Sequence, residues 1–503
     1  MRRALGLYGF DDFAIVAGRD AARSAGKSAA WYFADEVVAI PREGLRLSEI
    51  EPGVRALHDL RRFADAHEDV PLEWPPLVWM GAADVVRDAR ISADASTLHA
   101  QDRSLPLTLV DNLPLNQSWF DATSAAFFAN EAVMARGTVS DGGFQARVLW
   151  PERFTLGPVD PSGDDFDRAK PAAWLRARVR EPTQSFAAHT FWHREGTEPW
   201  AGKTVLAFIL NGAQGDDDEA HAGHFAIATG RIADDGAIGD WLVASFYSLD
   251  IVSEKGIIAA PVPLANYQAD LNSGQSWYRP TWILVAALDN DRAPRRVQAG
   301  LNRMFLHFWR HQITYYHPLV NCTSLSVDTL RALGLQVPLR GPTSIAKAWL
   351  ALPWLLLRER SVEKAKTQFD YLVADRTRLL PQIALEAVLE ALVGLTRTSP
   401  SGGALANEIA HDLVALAFIR LPQFPSSRTS GGPPVASLDE YQARLPRDRT
   451  KMKIVPVPAR PFPDGLRDDD LLPALPKPSD LALRAWIGVP VALLAAVLVA
   501  LVA

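Results

Sequence analysis

Four apolar runs between residues 201 and 292 set the pattern of the chain: TVLAFIL from Thr204, HFAIATG from His224, WLVASFYSL from Trp241 and TWILVAAL from Thr281. Each is bounded by Gly, Asp, Asn or Pro, which predicts strands. The spacing then turns helical over Pro294–His311, with the proline in the first turn, and over Thr323–Leu333, ending at Gly334. From about 344 to 420 the pattern reads as all helical. Residues 1–200 mix short apolar runs with Pro, Gly and Asp and predict a β-rich or mixed accessory domain. Residues 421–484 are proline-rich and read as a linker. The last 19 residues, Ala485–Ala503, carry no charged side chain and are expected to form a single C-terminal transmembrane helix. The expected architecture is thus α+β in five parts: 1–200, 201–340, 341–420, 421–484 and 485–503.

Composition narrows the function. At 48% hydrophobic and 22% charged the chain can bury a core. A formal charge of -6 offers no field for phosphate, so no nucleic-acid partner is expected. One cysteine, Cys322, excludes a disulfide framework and a zinc ribbon. A Gly-Lys-Ser at Gly26–Ser28 mimics the end of a phosphate-binding loop, but Ala21 stands where the first glycine is needed. His221 and His224 after four acidic residues read as a solvated loop, so neither a metal nor a cofactor is expected.

The surroundings of Cys322 carry the chemistry. It sits in Tyr315-Tyr316-His317-Pro318-Leu319-Val320-Asn321-Cys322-Thr323-Ser324, directly before a helix. There the thiol meets the positive end of the helix dipole and the first-turn amides, which favour thiolate. The same amides can stabilise an oxyanion. A thiolate nucleophile needs a histidine, and His224 at a strand start is the candidate, with His317 in reserve. The third polar group, which orients the imidazole, is sought on the next strand among Ser245, Tyr247 and Ser248. Tyr315, Tyr316, Asn321 and Thr323 are expected on the substrate side of the thiol.

Histidine on a strand followed by Asn-Cys at a helix start resembles the circularly permuted NlpC-like, papain-like thiol enzymes, lecithin–retinol acyltransferase among them. The chain is more similar still to the Lnb N-terminal periplasmic-domain-like family, which has Gly-His near a strand start and Asn-Cys-Thr-Thr with an upstream tyrosine. Here these are Gly223-His224, Asn321-Cys322-Thr323-Ser324 and Tyr315 or Tyr316, within about 201–340. The resemblance implies a permuted papain-like domain that hydrolyses or transfers an acyl group, with an acyl, lipid or peptide substrate. A catalytically inactive, tail-anchored binding protein or scaffold is the alternative. No signal peptide is read at the start. Arg484 and Lys477 before the terminal segment place the bulk of the chain in the cytoplasm, with the lipid bilayer as partner. Ala348–Leu357 is apolar but too short to span, so it reads as a core helix or one lying in the membrane interface.

Overall fold

The computed structural model describes residues 4–422, with internal exceptions at 25–32, 34–35, 45–49, 51–53, 68–69, 71, 102, 111–121, 158–165, 180–184, 197–199, 213–222, 247–259, 272–279, 310–311, 314 and 398–401, and beyond 422 only residue 443. Its centre is a seven-stranded antiparallel sheet. The strands lie in the order Ala187–His193, Leu413–Leu421, Thr281–Leu288, Thr204–Asn211, His224–Arg231, Leu242–Ala244 and Val262–Pro263. Thr204–Asn211 and Thr281–Leu288 are buried along their full length. Their near-continuous apolar sequence follows from this, because neither face of the central strands meets water.

Two of these strands lie outside the expected 201–340 unit. Ala187–His193 pairs with Leu413–Leu421, which in turn pairs with Thr281–Leu288. The stretch 344–420, expected to be all helical, therefore ends in a central strand. LVALAFIRL is apolar at nearly every position, and such a run suits a buried strand as well as a buried helix.

The N-terminal part holds a closed five-stranded barrel between Asp84 and Pro151 and a separate three-stranded sheet of Phe13–Ala17, Val37–Pro41 and Val78–Gly81. That small sheet reaches the edge of the central one, where the Trp79 amide donates to the Pro261 carbonyl at 2.9 Å.

The helices Arg292–Trp309 and Cys322–Ala332 both pack against the strand His224–Arg231. Arg292–Trp309 starts with Pro294 in its first turn and is pinned to the central sheet by Thr229, whose hydroxyl donates to Gln298 Oε1 at 2.6 Å. Cys322–Ala332 packs on the strand His224–Arg231 and ends at Gly334. Gly334 has φ +106°, and a Cβ there would come within 2.9 Å of the Gly403 backbone. Both its left-handed conformation and its close neighbour demand glycine.

The expected fold class needs correction at its membrane element. The structure is α+β, with mixed sheets and helices, and among the described residues no helix is long and apolar enough to cross a membrane. The segment Ala485–Ala503, on which that expectation rested, lies outside the described residues.

Candidate active site

Cys322 is the first residue of its helix and is 5% exposed. The helix start is fixed by its neighbour. Asn321 is the N-cap: its Oδ1 accepts from the Ser324 amide at 2.9 Å, and the Ser324 hydroxyl oxygen accepts from the Asn321 amide at 2.8 Å. This reciprocal pair satisfies two donors that a helix start otherwise leaves without partners. The other half of the Asn321 amide is used as well, Nδ2 donating to the His317 carbonyl at 2.7 Å. One side chain thus ties the turn before the helix to the helix itself. Asparagine suits the position because it alone, among good N-caps, offers an acceptor and a donor on one planar group.

The turn is tight. The Tyr316 amide donates to the Val320 carbonyl at 2.9 Å and the Val320 amide to the Tyr316 carbonyl at 2.7 Å. Tyr315 is thereby directed at the thiol residue, and its hydroxyl accepts from the Cys322 amide at 3.3 Å. Thr323 is buried beside the sulfur, Sγ to Oγ1 being 3.8 Å. Tyr316 belongs elsewhere: its hydroxyl donates to Asp370 Oδ2 at 2.8 Å. Burial, and after it the Asp370 carboxylate, pushes the Tyr316 phenol up to about 12. His317 Nδ1 lies 2.9 Å from the Tyr371 hydroxyl, so this histidine also serves the contact with the helix Val362–Val373.

His224 opens its strand and is buried, with Nε2 2.8 Å from Ser245 Oγ. Of the three candidates for orienting it, Ser245 is thus in place. Tyr247 and Ser248 lie outside the described residues, as do His221 and the Gly26–Ser28 motif. Among the described residues no cluster of His, Cys, Asp or Glu could hold a metal ion.

Beside His224 lies a buried polar chain that the sequence does not announce. Asn211 is the cross-strand partner of His224 on one side and of Thr281 on the other, so all three share a face of the sheet. Asn211 Nδ2 donates to Thr281 Oγ1 at 2.7 Å, and Oδ1 accepts from the Tyr267 hydroxyl at 2.5 Å. Thr281 donates onward to Gln268 Oε1 at 3.1 Å. The available signal was a polar residue at one end of each of two apolar runs, Asn211 closing the first and Thr281 opening the second, but which runs pair, and in what register, is not written locally.

The structure therefore brings together Cys322 with Tyr315, Asn321 and Thr323, and His224 with Ser245, and it packs the helix of the first group on the strand of the second. Tyr316 and His317 turn to the helix Val362–Val373 instead. A capped helix start presenting a thiol, beside a strand presenting a hydrogen-bonded imidazole, has the components of nucleophilic acyl chemistry. No family model, curated protein or solved structure matches the chain.

Proposed function

We propose that the chain is a thiol hydrolase or acyltransferase working through a thioester on Cys322. The observation that carries this reading is the His224–Ser245 hydrogen bond on the strand against which the Cys322 helix packs. With His224 Nε2–H donated to Ser245 Oγ, Nδ1 carries the lone pair and takes the thiol proton. The sulfur attacks the substrate carbonyl, and the helix dipole supports the thiolate. Charge on the tetrahedral oxygen falls to the Cys322 amide, which in the resting protein donates to the Tyr315 hydroxyl oxygen at 3.3 Å and turns to the oxyanion, and to the hydroxyl hydrogen of Tyr315. His224 then protonates the leaving group, and the acyl group stays on sulfur until water or an acceptor nucleophile, deprotonated by His224, removes it. The resemblance to the Lnb-like family rests on these same residues and supports the reading.

Thiol alkylation across pH tests it without knowledge of the substrate. Iodoacetamide should modify Cys322 well below the pH range of a free thiol, and His224→Ala should move the profile back towards that range. An ordinary thiol profile, unchanged in His224→Ala, would replace the enzyme with the binding-protein alternative.

A further inference from the structure

The helix Ile345–Glu359 buries only Ala348, Leu352 and Leu355. These follow the helical period, so they define one face; the outward face is apolar too. Leu350 is 82% exposed and Leu357 79%, and Ile345, Trp349 and Trp354 are also exposed on this helix. Val362, at the start of the next helix, adds to the patch. A soluble surface rarely leaves so many large apolar side chains together, so the patch marks an interaction.

Its rim identifies the partner. Lys347, Arg358, Arg360 and Lys364 stand around the patch against Glu359 and Glu363, in a chain whose overall charge is -6. Arg358 reaches Glu359 at 3.4 Å, while Lys347, Arg360 and Lys364 make no ion pair among the described residues. Exposed leucines with two tryptophans and an unneutralised basic rim match the acyl–headgroup boundary of an anionic bilayer. The tryptophans suit that boundary because indole has an apolar body and one donor. At 15 residues, including Pro353, the helix is too short to span, which leaves an in-plane seat.

We infer that the outward face of Ile345–Glu359 docks on an anionic lipid surface. The following helix contacts the turn before Cys322 through Asp370 and Tyr371, so docking holds that turn near the bilayer. The inference does not depend on the thiol chemistry.

A local probe tests it in the full chain. Leu350→Cys in a Cys322→Ser background gives a single thiol for the environment-sensitive dye NBD. Equimolar phosphatidylcholine and phosphatidylglycerol vesicles should shift its emission to the blue, and pure phosphatidylcholine should do so much less. Lys347→Gln, Arg360→Gln and Lys364→Gln should each weaken partitioning about fivefold, and Leu357→Glu should abolish the shift. The same dye at Val139→Cys, exposed on the barrel, should not respond. Four results overturn the inference. They are no shift at Leu350→Cys on anionic vesicles, and an equal shift on pure phosphatidylcholine. The third is a lipid-free shift that grows with protein concentration, which assigns the face to a second copy. The last is emission already blue without lipid at every concentration, which assigns it to another part of the chain.

Discussion

At one end of the central sheet, where Thr204–Asn211 finishes and His224–Arg231 begins, the polar contacts are hydrogen bonds between buried side chains: His224 with Ser245, and Asn211 with Thr281 and Tyr267. At the other end of the same two strands they join charged, partly exposed groups. Lys203 and Arg194 meet Asp289, and Arg231 and Arg295 meet Asp291. The contrast is one of purpose. Ion pairs in contact with water contribute about 0–1 kcal/mol and hold side chains loosely. Buried hydrogen bonds are costly to leave unmade, so they fix where each atom points. The proposed acyl transfer needs aimed atoms, and the strand that carries His224 is one on which the thiol helix packs.

Mutation at the two ends should separate these roles. The largest effect is expected at the thiol and the imidazole: Cys322→Ala and His224→Ala should each lower single-turnover acylation by about a thousandfold or more, with the double variant hardly worse than either. A double variant far below both singles would show that the two do not act as a unit. Ser245→Ala should cost about a hundredfold in kcat with KM little changed, because it disturbs the alignment of the imidazole and not substrate binding. An unchanged kcat removes Ser245 from the site.

Asn321→Ala should destabilise by about 1 kcal/mol in urea unfolding, the usual worth of an N-cap. Asn321→Asp should restore that stability but not full activity, since it lacks the donor to the His317 carbonyl. At the charged end, Arg231→Met should change stability by less than about 1 kcal/mol and leave the alkylation profile of Cys322 as it was.

A buried charged cluster provides a third setting. Burial works against the Asp59 carboxylate, but hydrogen bonds from His307 at 2.8 Å and from Arg303 outweigh it and hold Asp59 at about 2. With the folded value below the unfolded one, near 4, its contribution is present above about pH 4 and lost as pH falls towards 2. Acid titration of stability should therefore be shallower over that window in Asp59→Asn than in the wild type.

Local sequence carried those parts whose cause is local. The strands from Thr204, His224 and Thr281 and the helices from Arg292 and Cys322 follow from apolar runs, turn residues and caps. The pairing of Asn321 with Ser324 is also a three-residue affair. Leu413–Leu421 was illegible as a strand because its neighbours in the sheet are distant in sequence, and its apolar run alone fits either element. The contacts of Tyr316 with Asp370 and of His317 with Tyr371 were hidden for the same reason. Both residues precede Cys322 closely, while the residues they bond to lie 54 positions further along.

The placement of Leu413–Leu421 has a consequence for biosynthesis. Synthesis runs at about 5–20 residues per second, so the strand Ala187–His193 waits some 10–40 s after leaving the ribosome for the neighbour it pairs with. Over much of that interval the emerged strand Thr281–Leu288, buried throughout in the finished protein, presents a bare hydrogen-bonding edge. The nascent chain is thus most adhesive when it is nearly complete. Chaperone capture should peak just before Leu421 emerges, and a stop codon shortly before Leu413 should yield aggregate in place of a smaller folded protein.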